Sequence, residues 1–563
     1  MSISANFPNV FPSLELNFAQ SQQLDPRITF SRSTTAPYYD GKTSVLAEQN
    51  LLLNSQTFSN AAWTKQNATI TDNFSIAPDG TTTASKLTAN TSAARIYQGG
   101  TTGNVQATAS IWIKRRTGTG NVNWEIVGVG VGPLITVTSS WQQVTYTATV
   151  LAGGIFYFGL RMDTAGDEID IWGAQLEQRS SATAYNATTT TPITNYIPQL
   201  LTAPINAPRF DFNPATGGSL GLLIEQSSTN LFTYSQDFSN VIWVKSNSTI
   251  APNAIVSPDG TTNASKLVES ATTAQHYISE TITASAVSHT FSVFAKAGER
   301  SFVVLEFNSN GGGYAWFNLS TGAVENTGGG VSTGNCTITS VGNGWYRCSI
   351  NQTLIVGIVK TNIYSALING STNYSGDGYS GVYIWGAQLE ALPFATSYIP
   401  TTSAQVTRAS DNASMTGTNF SSWFNQGQGT VYCESSLFSV SGSSPGIYSF
   451  DDGTTSNALN SFYGPNIYAN SRVGGANVFT SYSSTLASTP TFYKQSFSYA
   501  NANYISVFSG GTPITQTSGV VPSGLNRLQI GSYAGGYLNG RMKKLSFYPQ
   551  ALPSNQLQTL TGY

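Results

Sequence analysis

Few residues in this chain could move protons or hold a metal. Its 563 residues include two histidines, His276 and His289, and three cysteines. No Ser-His-Asp set is evident, no Gly-x-Ser-x-Gly elbow occurs and no His/Cys group has zinc spacing. Glycoside hydrolysis needs two carboxylates roughly 5–9.5 Å apart. One cluster, Asp163, Asp167, Glu168 and Asp170, is dense enough to consider, and strand alternation would put Glu168 and Asp170 on one face. A solvated acidic loop is the first reading and a structural calcium site the second, since oxygen-rich loops suit that ion. Catalysis comes third. Asp451-Asp452-Gly453 reads as a hairpin turn. The chain is therefore expected to be no enzyme and to carry no cofactor beyond that calcium.

Non-covalent chemistry is better supplied. Aromatic residues make up 12% of the chain and charged residues 9%, with Ser, Thr, Asn and Gly carrying the polarity. Rings stack on the apolar faces of sugars while amides and carboxylates bond their hydroxyls. Candidate glycan-binding residues are Trp124, Tyr314, Trp316, Tyr374 and Tyr379, chosen by a comparison internal to the chain. Residues 50–97 align without a gap on residues 230–277, an offset of 180. Trp63, Lys65, Pro78-Asp79-Gly80 and Ser85-Lys86-Leu87 reappear as Trp243, Lys245, Pro258-Asp259-Gly260 and Ser265-Lys266-Leu267. Rings present in both copies (Trp63/Trp243, Trp141/Trp345, Trp172/Trp385) read as core; the five candidates are not shared. His276 stands where the first copy has Ile96, so it reads as a strand histidine without a special role.

The elements that must position these residues are strands. Runs of Val, Ile, Tyr, Phe, Trp and Thr alternate with Gly, Asn, Asp and Ser clusters, the pattern of all-β sandwiches. The only helical stretch predicted is Pro553–Gln558. Both copies close on Ile-Trp-Gly-Ala-Gln-Leu-Glu, at residues 171–177 and 384–390, so the second copy is 33 residues longer, most of it expected as loop between Gly311 and Gly330. Cys336 and Cys348 flank a turn and could face each other, although reduced thiols suit a protein made in a cytosol. Lys114-Arg115-Arg116 reads as a solvated turn. Near-neutral charge (net −2) excludes a nucleic-acid face. No apolar run reaches the length of about 18–20 residues that a membrane span needs. Residues 1–6 lack the features of an export signal.

The order of elements in residues 50–185 and 229–400 resembles jelly-roll carbohydrate-binding modules. Leu24-Asp25-Pro26-Arg27-Ile28-Thr29-Phe30-Ser31-Arg32, Ala207-Pro208-Arg209-Phe210-Asp211-Phe212-Asn213-Pro214 and Gly221-Leu222-Leu223-Ile224-Glu225 resemble phrases at the front of tailed-bacteriophage virion proteins, host-facing tail fibres in particular. In that family the phrases lie close together; here module 1 stands between them. Residues 416–423 and 538–549, with the Gly540-Arg541-Met542-Lys543-Lys544-Leu545 pattern, resemble the opening and closing of concanavalin-A-like (laminin-G-like) sandwiches.

These readings give an all-β fold of two jelly-roll modules and a concanavalin-A-like sandwich. The expected parts are 1–46, a virion-facing segment paired with 199–228 into a small β unit; 47–198, module 1; 229–405, module 2; and 406–563, the lectin-like domain. The resemblance implies a virion protein made in the bacterial cytoplasm, a tail fibre or adhesin binding host-surface glycans. The alternative is a capsid decoration (head fibre) or tail-assembly protein. Expected partners are a host cell-surface glycan, other virion proteins and two further copies in a homotrimer, with no nucleic acid and no membrane insertion.

Overall fold

β-branched and aromatic runs suit a pleated surface, and the Gly, Asn and Asp between them allow tight turns. The computed structural model describes residues 7–101, 105–126, 130–149, 155–308, 312–439, 444–483 and 491–562, and there the runs form antiparallel sheets. Residues 1–6, read above for an export signal, lie outside the described residues. The fold is all-β, as expected. The terminal helix is Ser554–Gly562; two single-turn helices, Phe18–Ser21 and Thr418–Ser421, were not predicted. No helix among the described residues is long and apolar enough to cross a membrane.

Module 1 is a sandwich of two five-stranded sheets. Module 2 follows the same plan, and its additional length is strand as well as loop. Ala323–Gly328 adds an edge strand to one sheet and Cys336–Gly342 to the other. Gly311, at the head of the expected loop, lies outside the described residues. Cys336 stands opposite Ile350 and Cys348 opposite Ile338, so the two thiols do not face each other. Both are free and buried, and burial pushes Cys336 up to about 12.

The two flanking segments depart from expectation. They do pair, through Ala36–Tyr38 with Leu201–Ala203; the adjoining ribbon, Ser44–Asn50 with Ile193–Pro198, falls mostly within the bounds given to module 1. They do not make a separate N-terminal unit, because their other strands complete the C-terminal sandwich. Leu14–Asn17 and Ser219–Ile224 lie along the same closing strand, Gly540–Tyr548: residues 14–17 pair with 544–547 and residues 222–224 with 540–542. Thr29–Ser31 extends the opposite sheet through Asn412–Thr416. Leu14, Leu16, Phe18, Leu222 and Ile224 thus join one core with Val431, Phe450, Phe497 and Phe547.

A buried ion cluster fastens this arrangement. Arg32 donates to Asp411 (2.9 Å), and Arg209 bridges Asp411 (2.5 Å) and Glu225 (2.8 Å), all four side chains fully buried. Arg408 lies 3.5 Å from Glu225. Burial alone would raise the Glu225 carboxyl, but Arg408, Arg209 and two hydrogen bonds from Ser397 outweigh it and hold it down to about 2.

The Ser44–Asn50/Ile193–Pro198 ribbon also packs on module 2. Val45, Ala47 and Ile197 cover Phe294, Trp345, Trp385 and Tyr398 on the outer face of one sheet, and Lys296 pairs with Glu48. Module 1 repeats that face with Trp112, Trp141, Trp172 and Tyr185, and among the described residues no comparable ribbon covers it. Ile76 is 63% exposed there, while its counterpart Val256 is 4% exposed. The two indoles keep the same bond, Trp141 Nε1 to the Ile76 carbonyl (3.0 Å) and Trp345 Nε1 to the Val256 carbonyl (3.2 Å).

The repeat isolates one ionisable group. Gln98 accepts from the Leu53 N–H and donates to the Leu53 carbonyl. Its counterpart Glu280 accepts from Thr233 N (3.1 Å), and its second oxygen has no partner among the described residues. Burial raises its carboxyl from about 4.5 to about 7.

Two outcomes follow for stability. Asp411→Asn strips the shared partner from Arg32 and Arg209 and should cost about 3–5 kcal/mol, read as a lowered denaturant midpoint. An unchanged midpoint would show that the cluster holds nothing together. Glu280 keeps its proton in the fold, so its contribution is intact below about pH 4.5 and is lost as pH rises through about 7. Glu280→Gln restores the module 1 pairing and should raise stability at pH 8 by roughly 1–3 kcal/mol, with little change at pH 4. Equal effects at both pH values would contradict a proton held at Glu280.

Candidate functional site

The carboxylate cluster is not a solvated loop. Each acid meets a base: Asp163 Arg161 (2.7 Å), Asp167 Arg115 (3.2 Å), Glu168 Lys86 (2.9 Å), and Asp170 both Arg116 (2.9 Å) and Lys114 (3.4 Å). Asp170 is fully buried. The basic run taken for a solvated turn is the other half of this network. Among the described residues no group of three His, Cys, Asp or Glu side chains could hold a metal ion.

The five candidate rings separate. Trp124 is 4% exposed and belongs to the module 1 core, packed on Phe158 with centroids 5.3 Å apart. Its neighbour Glu125, paired with Arg95, takes the other side of the strand. Strand alternation turned Trp124 inward, and no ring face is left for a ligand. Tyr374 is also buried: its hydroxyl donates to Glu269 (2.7 Å) and its ring lies 4.7 Å from His276. His276 Nδ1 in turn donates to the Asn247 carbonyl (2.6 Å). Tyr379 is half-buried between modules. A Cβ on Gly80, the left-handed residue of module 1's Pro-Asp-Gly turn (φ +79°), would come within 3.0 Å of its ring. That contact makes Tyr379 part of the junction.

Tyr314 and Trp316 are brought together. In strands Phe302–Asn308 and Tyr314–Asn318, Val303, Leu305, Phe307, Ala315 and Phe317 fill the module 2 core. The alternate residues cover the outer face of the sheet. There, cross-strand neighbours run Tyr277, Tyr364, Val304, Trp316 in one row and Ser279, Asn362, Glu306, Tyr314 in the next. Tyr277 and Tyr364 lie 4.8 Å apart between centroids. Trp316 and Tyr364 are each 4% exposed and form the floor, while Tyr277 and Tyr314 are half-buried and keep accessible surface.

Polar groups interleave with the rings. Glu306 accepts from the Tyr364 hydroxyl (2.5 Å) and from the Asn362 amide (2.7 Å). Lys360 sits 4.8 Å over the Tyr277 ring and reaches its hydroxyl (3.3 Å). A hydrogen bond from Ser246, together with Lys360, holds the Tyr277 phenol below its usual range, against a smaller opposing effect of burial. Asn362 is fully buried, yet its Oδ1 has no partner among the described residues.

Sequence reasoning missed Tyr277, Glu306, Lys360, Asn362 and Tyr364. Tyr277 takes the place of Arg95 in module 1, since it stands opposite Ser246 as Arg95 stands opposite Gln66. A gapless alignment set Tyr277 against Tyr97 and so hid a ring that only module 2 has at this place.

The C-terminal sandwich presents a comparable face, also missed. Phe462 stacks on Tyr468 (4.9 Å, 6°) and on Tyr533 (6.0 Å, 17°), and Tyr482, 56% exposed, lies 5.8 Å from Tyr468. The adjoining row holds Asn460 opposite Asn470, and both Asn460 amide atoms lack partners among the described residues.

No protein-family model matches the chain, and no curated protein matches it in sequence. Among solved structures it is similar to the tandem CBM22-1–CBM22-2 domains of Paenibacillus barcinonensis Xyn10C, with 11% identity over 63% of this chain and 100% of that one, at a TM-score of 0.20. It is similar to the LG1-3 region of the laminin α2 chain, with 9% identity over 80% of this chain and 95% of that one, at 0.22. The C-terminal CBM6 of LamC from Zobellia galactanivorans covers 23% of this chain and 99% of its own length, at 13% identity and a TM-score of 0.16. Likeness this slight defines neither family nor ligand.

Trp124→Ala, a core truncation, should cost about 3–5 kcal/mol in thermal or denaturant unfolding. Tyr314→Ala, at an accessible position, should cost less than about 1 kcal/mol. Equal losses would mean that the two rings have the same surroundings.

Proposed function

We propose that this chain is a non-catalytic glycan-binding protein of a tailed-bacteriophage particle, a tail fibre or similar adhesin. One observation carries the binding half: the outer face of module 2, where Tyr277 and Tyr314 stand over Trp316 and Tyr364 beside Glu306, Lys360 and Asn362. Ring surface with fixed hydrogen-bonding groups alongside suits an oligosaccharide. The non-catalytic half is supported by the densest carboxylate cluster, whose members are all engaged by Lys or Arg. The phage half rests on the phrases around Arg32, Arg209 and Glu225, which resemble those of virion proteins. By the same resemblance the chain assembles as a homotrimer, and several weak faces per particle then add in avidity.

A second reading, a capsid decoration or tail-assembly protein, is favoured by the face of module 1 that no described residue covers as the ribbon covers module 2. Its counterpart in module 2 is covered by protein.

Binding of the full chain to host cells or their extracted polysaccharide tests the proposal. Tyr277→Ala and Tyr314→Ala should each weaken it at least about tenfold, or 1.4 kcal/mol, without lowering the melting temperature by more than a few degrees. If the chain binds no host surface, and labels only capsid faces on intact particles, the decoration reading takes its place.

A further inference from the structure

We infer that the ring-lined outer face of module 1 is a docking site for a β-ribbon of another protein, one that presents short aliphatic side chains and a carboxylate. The repeat shows what such a face receives. On module 2 the ribbon Ser44–Asn50/Ile193–Pro198 sets Val45, Ala47 and Ile197 against the rings, and its Glu48 pairs with Lys296. Module 1 keeps the seat. Its four rings take the places of the four in module 2, Lys114 takes that of Lys296, and the bond from indole to backbone is the same.

The difference lies in the cover. Trp345 and Trp385 are buried, whereas Trp112, Trp141 and Tyr185 keep accessible surface beside the open Ile76. Phe74, 43% exposed, adds a ring at the edge, with Arg116 4.6 Å and Lys86 4.8 Å from its centroid. Contiguous exposed apolar surface rimmed by charge marks a place of association. Charge points to the occupant's acid. Asp170 serves two cations, Lys114 (3.4 Å) and Arg116 (2.9 Å), while Lys86 has Glu168. Module 2 has Tyr383 at the place of Asp170 and draws its acid from the ribbon. One cation of the module 1 face is therefore left for a carboxylate of the occupant, and complementary charge fixes register.

The seat is shorter than its twin. Among the described residues module 1 has no equivalent of strand Cys336–Gly342, where Pro198 passes so close that a Cβ on Gly342 would come within 2.6 Å of it. Tyr379 also takes the corner at Gly80 that Gln199 takes at Gly260. The seat for Val45, Ala47 and Glu48 remains, and the one for the Pro198–Gln199 end does not. This chain's own ribbon is committed to its own module 2, so the occupant is a different protein. The inference does not depend on the glycan-binding reading, since an adhesin and a decoration protein could each use such a seat.

The probe is a cyclic peptide that joins Val45–Asn50 to Ile193–Ile197 through Asn-Gly turns at both ends, which hold it as a hairpin. It carries no tryptophan, so titration into the full chain can be followed by the chain's own emission and by calorimetry. It should bind saturably and shift that emission to the blue. Ile76→Asp, at an open position, should weaken binding at least tenfold, and so should Glu48→Lys in the peptide. Tyr314→Ala should leave it unchanged. No saturable binding of the peptide overturns the inference, as does affinity that Ile76→Asp or Glu48→Lys leaves unaltered. Polysaccharide binding should persist in Ile76→Asp and fall in Tyr314→Ala, so the ribbon seat and the glycan face stand or fall separately.

Discussion

Five charges buried together set the terms for the rest of this molecule. Arg32, Arg209, Arg408, Glu225 and Asp411 come from segments up to 379 residues apart, and none can be left behind. Three cations against two carboxylates would leave an excess positive charge among fully buried side chains. Backbone oxygens absorb it: Arg32 donates to the Thr34 and Pro204 carbonyls, Arg209 to Pro37, and Arg408 to Ala409 and Gln226. Such a cluster adds little net stability over apolar packing, but a missing member leaves an uncompensated charge. It therefore acts as a requirement that these segments meet in one arrangement. Module 2 is tied in as well, because Ser397 closes the Glu225 carboxylate.

Much of the fold was legible because it depends on local pattern. Alternation, turn residues and the repeat gave the strands, the sandwiches and the terminal helix. The phrases around Arg32, Arg209 and Glu225 stood out before their role was known, and each turned out to carry a member of the buried cluster. What could not be read was where the flanking strands would dock. Leu14–Asn17 is four residues long and would suit any open edge. Only the shape of the finished sandwich selects the edge of Gly540–Tyr548.

The site was less legible, for a related reason. A sequence shows which residues alternate but not which side becomes the core. Trp124 and Trp316 both lie mid-strand in material the repeat does not share, yet one faces inward and the other joins an outer row. Comparing copies removed shared rings correctly at Trp63 and Trp243, which are buried. It failed at Tyr277, which takes the place of Arg95 once the strands are paired. Charge gave a similar lesson. Lys114–Arg116 and Asp163–Asp170 looked like two solvated loops until strand pairing set them side by side.

The shared edge of Gly540–Tyr548 has a consequence for synthesis. Strands made near residues 14 and 222 wait unpaired until residue 540 leaves the ribosome, while modules 1 and 2 can already close around their own cores. A polypeptide cut short before that point carries finished modules on an unfinished base, with open strand edges prone to association. Closing the C-terminal sandwich is thereby tied to the last strand of the chain to be made.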